Sequence, residues 1–134
     1  MTPIRTALVD DAEEMRLLVS MSLTLSGEFV VVAEAGNGRE AVDVAREHRP
    51  ELMLLDLSMP EMDGLEALPR VLEASPDTCV VVFSGFDDTH LGPEARALGA
   101  AGYVEKGTPL EDLIARLVAY VEECRRRGPL QSGA

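Results

Sequence analysis

The chain alternates short apolar runs with helix-spaced segments from end to end, and that alternation narrows the fold to one class. Arg5 to Val9, Phe29 to Ala35, Leu52 to Asp56, Cys79 to Ser84 and Gly102 to Glu105 read as strands. Between them lie helix patterns. Ala12 to Leu25 carries Met15, Leu18, Val19, Ser22 and Leu25 at helical spacing before Ser26-Gly27 stops it. Asn37-Gly38 opens a helix with Ala41, Val42 and Ala45 on one face, ended by Pro50. Asp63-Gly64 leads into a helix through Ala74, where Pro69 predicts a kink or a late start because it lacks a donor. A fourth helix is expected to become regular near Pro93. The fifth is marked by Thr108 as N-cap, Pro109 at N1 and Glu111 at N3, a capping box, with Leu110, Leu113, Ile114, Leu117 and Val121 as its buried stripe. Arg125, Arg126 and Arg127 are expected in its last turn, favourable to the helix dipole, with Gly128-Pro129 ending it and the following residues forming a tail. Five strands alternating with five helices predict an α/β fold, one parallel sheet with helices on both faces.

The ends of the apolar runs carry the chemistry. Asp10 and Asp11 close the first run, Asp56 the third, and Ser84 the fourth; Lys106, the only lysine among 12 basic residues, closes the fifth. In an open parallel sheet, ligands collect in the crevice beyond the carboxyl ends of the strands, so these groups can converge. Asp11 alone could be a helix N-cap, Ser84 could bond local backbone, and Tyr103 could be a half-buried strand aromatic. Two unit charges about 4 Å apart repel by about 4 kcal/mol at an effective dielectric near 20. Three gathered carboxylates therefore take up a proton or a cation, and hard oxygen donors select Mg²⁺ or Mn²⁺. Three negative charges, one divalent cation and the Lys106 ammonium sum to a neutral site.

A length of 134 residues suits one domain that buries about two-thirds of its unfolded surface. Cys79 and Cys124 are far apart in sequence, lack metal-ligand spacing and read as two reduced thiols. No apolar stretch reaches the length of a signal core or membrane span, which predicts a cytoplasmic protein. The net charge of −12 disfavours direct contact with nucleic acid or an anionic membrane and favours cations.

Taken in order, Leu8-Val9-Asp10-Asp11, Leu54-Leu55-Asp56 with Pro60 and Asp63-Gly64, Val82-Phe83-Ser84-Gly85 and Gly102-Tyr103-Val104-Glu105-Lys106 resemble the receiver domain of bacterial response regulators. The resemblance runs from about Arg5 to about Arg127, which implies a receiver over residues 1–127 and a tail over 128–134. It also implies a flavodoxin-like, doubly wound sheet of order 2-1-3-4-5. By the same resemblance, Asp56 would accept a phosphoryl group from a phosphohistidine. Asp11, Asp56 and the backbone carbonyl of Ser58 would bind Mg²⁺ directly, and Asp10 would act through water. Lys106 would hold a phosphoryl oxygen, while Ser84 and Tyr103 would switch the face built from the fourth helix, fifth strand and fifth helix. The implied partners are a sensor histidine kinase or phosphotransfer protein and a downstream partner or an output domain removed from the chain; a phosphorylation-dependent homodimer is allowed. Such a chain is a switch rather than a turnover enzyme.

Three residues depart from the family pattern: serine at position 84, Gly107 where many members have proline, and Phe86 in place of a frequently polar residue near the site mouth. By the resemblance, Ser58 and Phe86 would flank the attacking water and so set how long the phosphorylated form lasts. Two other functions compete. An Mg²⁺-dependent phosphatase with an aspartyl nucleophile would need a second acid two residues beyond Asp56, where Ser58 stands. An FMN carrier would need a Ser/Thr-rich phosphate cradle. Gly102 to Lys106 looks closest to receivers of transcriptional regulators that carry a C-terminal helix-turn-helix. With no such segment after residue 127, either a stand-alone receiver or a fragment of a larger regulator is expected.

Overall fold

The computed structural model describes residues 2–85 and 90–132, with side chains through Arg127. Its elements are β1 (Ile4–Val9), α1 (Glu13–Ser26), β2 (Phe29–Ala35), α2 (Gly38–His48), β3 (Leu52–Leu55), α3 (Gly64–Ala74), β4 (Cys79–Ser84), α4 (Gly92–Ala97), β5 (Gly102–Glu105) and α5 (Leu110–Ser132). The strands form one sheet of order β2-β1-β3-β4-β5, with every neighbouring pair parallel. The expected fold class and strand order are both present.

The apolar runs are continuous because the central strands are buried on both faces. Side chains alternate across a strand, so each run feeds two cores. Leu52, Leu54, Cys79, Val81 and Phe83 point to one side, where Val19 and Leu23 of α1 and Leu113, Leu117 and Val121 of α5 cover them. Met53, Leu55, Val80 and Val82 point to the other, against Ala41 and Ala45 of α2, Leu68 and Val71 of α3, and Ala95 of α4.

The helices depart from expectation at several points. Along α1 the inward stripe is Met15, Val19 and Leu23; Leu18 and Leu25 face outward and are 52% and 84% exposed. The segment carries apolar residues around much of its circumference, so two phases satisfy the same helical spacing and the packing surface chooses between them. α3 starts at Gly64 and continues through Pro69, which faces solvent. The Thr108 hydroxyl donates back to the Glu105 carbonyl at 2.7 Å, tightening the turn before α5. In that helix Leu113, Leu117 and Val121 are buried, whereas Leu110 is exposed.

α5 also passes Gly128-Pro129 and ends at Ser132, contrary to the expected stop. Proline's fixed φ is helical and its missing N–H removes one bond, a limited loss so near a terminus. Arg125 and Arg127 are consequently not in the last turn. Each forms an ion pair instead, Arg125 with Glu51 at 2.6 Å and Arg127 with Glu123 at 2.9 Å. Cys79 and Cys124, distant in sequence, line one crevice where α5 crosses the start of β4.

Candidate functional site

The carboxyl ends of β1, β3, β4 and β5 meet in one crevice. Parallel strands hold the chain in register until each apolar run stops, so the first polar residue after each strand is delivered to the same edge. Asp10 and Asp56 both continue the ladder beyond their strands, Asp10 N–H to Ala35 O and Asp56 N–H to Val9 O, each at 3.0 Å. Their side chains are buried, at 5% and 4% exposure. Asp11 is exposed, yet carboxylate oxygens of Asp10, Asp11 and Asp56 lie within 4.8 Å of one another.

Lys106 stands between two of these acids. Its ammonium is 2.6 Å from Asp10 Oδ2 and 3.2 Å from Asp56 Oδ2. Its backbone N–H donates to Ser84 O at 2.7 Å, which ties the β5 end to the β4 end. The fully buried Ser84 hydroxyl donates to Asp56 Oδ1 at 2.8 Å, and the Ser58 N–H donates to the same oxygen at 3.3 Å. Tyr103 is half-buried, with its hydroxyl donating to Gly85 O at 3.3 Å. Thus Asp10, Asp11, Asp56, Ser58, Ser84 and Lys106 are gathered, and Tyr103 borders the β4 exit. Phe86 lies outside the described residues.

Burial raises the Asp56 carboxyl above its ordinary value, with the Asp10 charge adding to the effect; the Ser84 hydrogen bond and the Lys106 ammonium pull the other way. For Lys106, burial works against the ammonium, but hydrogen bonds and charge from Asp10 and Asp56 outweigh it and raise its pKa. The balance leaves negative charge in excess: three carboxylates face one ammonium. A hard divalent cation fits that donor set, because the oxygens are close together, Asp11 opens the cluster to solvent, and no nitrogen or sulfur ligand competes among the described members.

Two residues support the site in ways that the sequence did not show. Arg16 on α1 donates to the Asp10 carbonyl and pairs with Glu34 at 3.1 Å, fixing the turn that carries Asp10 and Asp11. Gly64 allows α3 to begin against the acceptor loop: its N–H donates to Leu57 O at 3.0 Å, and a Cβ there would lie 2.3 Å from Asp56 O. The neighbouring Asp63 caps α3 by accepting from the Glu66 N–H at 2.9 Å. The Asp-Gly pair was visible as a turn, but its closeness to Asp56 depends on where β3 ends.

A doubly wound α/β sheet with an acidic cluster and one lysine at its carboxyl edge defines an acid-pocket switch of the phosphoryl-accepting class. The family model for the response regulator receiver domain matches residues 6–118, and the chain belongs to that family. It is 36% identical over 109 residues to the transcriptional regulatory protein YdfI of Bacillus subtilis, covering 81% of this chain and 51% of that one. It is 34% identical over 102 residues to the chemotaxis protein CheY of Thermotoga maritima, covering 76% and 84%. Among solved structures, the REC domain of AraT, a response regulator from Geobacillus stearothermophilus, superposes with a TM-score of 0.82 at 29% identity, covering 94% of this chain and 98% of that chain. The chain thus spans about half the length of the first-matched transcriptional regulators.

Receivers of two-component systems work by phosphorylation of an aspartate, and they bind Mg²⁺ through an acidic pocket. They are signalling switches with autophosphatase activity, and they partner with histidine kinases or phosphotransfer proteins and with output domains. The phosphatase alternative is not favoured: Ser58 occupies the position where its second acid would stand. Among the described residues no helix is long and apolar enough to cross a membrane.

Proposed function

We propose that Asp56 is the phosphoacceptor of this receiver. The observation that carries the reading is a buried carboxylate contacted at 2.8 Å by the Ser84 hydroxyl and at 3.2 Å by the Lys106 ammonium, within one cluster with Asp10 and Asp11. In the transfer, an Asp56 oxygen attacks the phosphorus of a phosphohistidine, the P–O bond forms as the P–N bond breaks, and the imidazole leaves with the electron pair. Lys106 holds a phosphoryl oxygen and answers charge that builds up on the transferring group. Asp11, Asp56 and the Ser58 carbonyl would hold Mg²⁺, with Asp10 supporting it through water; the ion, when bound, would supply charge neutralisation at the phosphoryl oxygens.

The new phosphoryl group carries about −1.5 to −2 charges next to Ser84, in place of the carboxylate's −1. Ser84 turns from Asp56 to a phosphoryl oxygen, and the Tyr103 ring moves inward, which biases the α4, β5 and α5 face toward a second packing. This makes the chain a switch rather than a turnover enzyme. Acting in the cytoplasm, it takes its phosphoryl group from a sensor histidine kinase or phosphotransfer protein, and its target is a downstream partner or an output domain in a longer protein, with a homodimer on phosphorylation allowed. The likeness to a transcriptional regulator about twice its length supports the output-domain reading.

The test is formation of the beryllium fluoride adduct in the presence of Mg²⁺. Wild type is expected to take up the adduct at Asp56, and Asp56→Asn to lose it completely. Normal adduct formation in Asp56→Asn would overturn the assignment.

A further inference from the structure

We propose that Cys79 and Cys124 are a redox modification site, a thiol pair that a hydroperoxide converts to an intramolecular disulfide tying α5 to the start of β4. A buried cysteine is ordinarily a small apolar side chain, and each of these alone would be that. What sets them apart is that two different elements bring them to one crevice. Cys79 is 2% exposed, and its S–H lies 3.6 Å from the Tyr120 carbonyl, the carbonyl one helical turn before Cys124 on α5. Cys124 is half-buried one turn further along α5. Both line a crevice of about 590 Å³ at the amino end of the sheet, bordered by Glu51, Leu72, Arg125 and Arg127, so a small oxidant can reach the pair.

The two thiols are differentiated. The Cys79 S–H stabilises a thiolate on Cys124, and the Arg127 guanidinium adds to this against the opposing effect of burial; the Cys124 pKa is lowered. Cys79 is held in its protonated form by the same hydrogen bond and by burial. Cys124 therefore attacks first: its thiolate takes the terminal peroxide oxygen, the O–O bond breaks, and the departing alkoxide, or hydroxide from hydrogen peroxide, is protonated to the alcohol or to water. The Cys79 sulfur then attacks the sulfenic sulfur, the S–S bond forms, the S–O bond breaks, and the leaving hydroxide takes the Cys79 proton. In total two thiols are oxidised by two electrons and one hydroperoxide is reduced to water and its alcohol, or to two waters when it is hydrogen peroxide. The pair sits at the opposite end of the sheet from Asp56, so the proposal stands apart from the phosphoacceptor assignment.

The test uses the full reduced chain, hydrogen peroxide as the probe, and alkylation followed by intact-mass measurement and peptide mapping. The expected product is a monomer lacking two hydrogens, with neither cysteine alkylated and both restored by dithiothreitol. Its Tm is expected to rise by roughly 5–15 °C. Cys124→Ser is expected to lose both the crosslink and the Tm shift; its partly exposed position keeps that variant folded even if Cys79→Ala is not. Oxygen gained at Cys124 while Cys79 still alkylates, a link between two chains, or no reaction at all would each overturn the proposal.

Discussion

The two ends of the sheet are built on opposite electrostatic rules. At the amino end Arg5, Arg125, Ser75 and Thr78 are each answered by a neutral or opposite partner. Arg5 donates to the carbonyls of His48 and Arg49 at 2.7 and 3.0 Å, and Arg125 grips both oxygens of Glu51. The buried Thr78 hydroxyl donates to Pro50 O at 2.7 Å, which leaves Ser75 to donate to Thr78 at 2.6 Å. At the carboxyl end, by contrast, two carboxylates are buried around a single ammonium, and the Asp56 carboxyl is pushed up. One end is satisfied as it stands. The other holds repulsion that a cation or a phosphoryl group's ligands can relieve, which is how a binding event there gains leverage over the fold.

The contrast can be broken most severely at Gly64. Gly64→Val puts a side chain into the Asp56 carbonyl and is expected to cost about 3 kcal/mol, the upper end of overpacking effects, and to abolish the adduct. Urea unfolding and adduct titration check both. Thr78→Val at the amino end is expected to cost about 1–2 kcal/mol, because the Pro50 carbonyl and Ser75 lose a buried partner, while adduct formation stays normal. A coupled loss of both properties would show that the two ends are not independent.

Asp56→Asn sharpens the comparison by its sign. A carboxyl whose folded pKa is raised binds its proton more tightly folded than unfolded, so ionising it costs stability as pH rises from 3.8 through the raised value. The cost persists at neutral pH. Asp56→Asn without Mg²⁺ is therefore expected to raise the urea midpoint at pH 7, with the gain shrinking as pH falls through the raised value toward 3.8 and lost below it, where both states are protonated. Equal midpoints at neutral pH would remove the argument for stored repulsion. The smallest effect is expected from Arg125→Ala, about 0.2–1 kcal/mol and lessened by added salt, because that pair is at the surface.

Much of this was legible in the sequence, for a physical reason. Leu52 to Leu55 and Val80 to Phe83 are apolar at every position because the strands are covered twice, and a run that short and that uniformly apolar suits a central parallel strand better than a one-sided one, which would alternate. The polar residue that ends each run could be read as a crevice residue without knowing strand order, since every order brings the carboxyl ends to one edge. The order itself came only through the family resemblance. The phase of α1 was not legible, because Leu18 and Leu25 satisfy helical spacing as well as Leu23 does. Nor was the crevice shared by Cys79 and Cys124, which depends on how far α5 extends over β4. Arg16 gave no signal at all; an arginine six residues beyond Asp10 is ordinary until α1 folds back over the turn.

The alternation of side chains through β3 and β4 has an evolutionary consequence. Leu117 and Leu68 both contribute to stability, but the sheet stands between them, so a lineage can remodel one layer while the other keeps its shape. Substitutions should then covary within a layer and drift independently across it. A protein of this design could acquire a new docking surface over α4 without renegotiating the packing beneath α1.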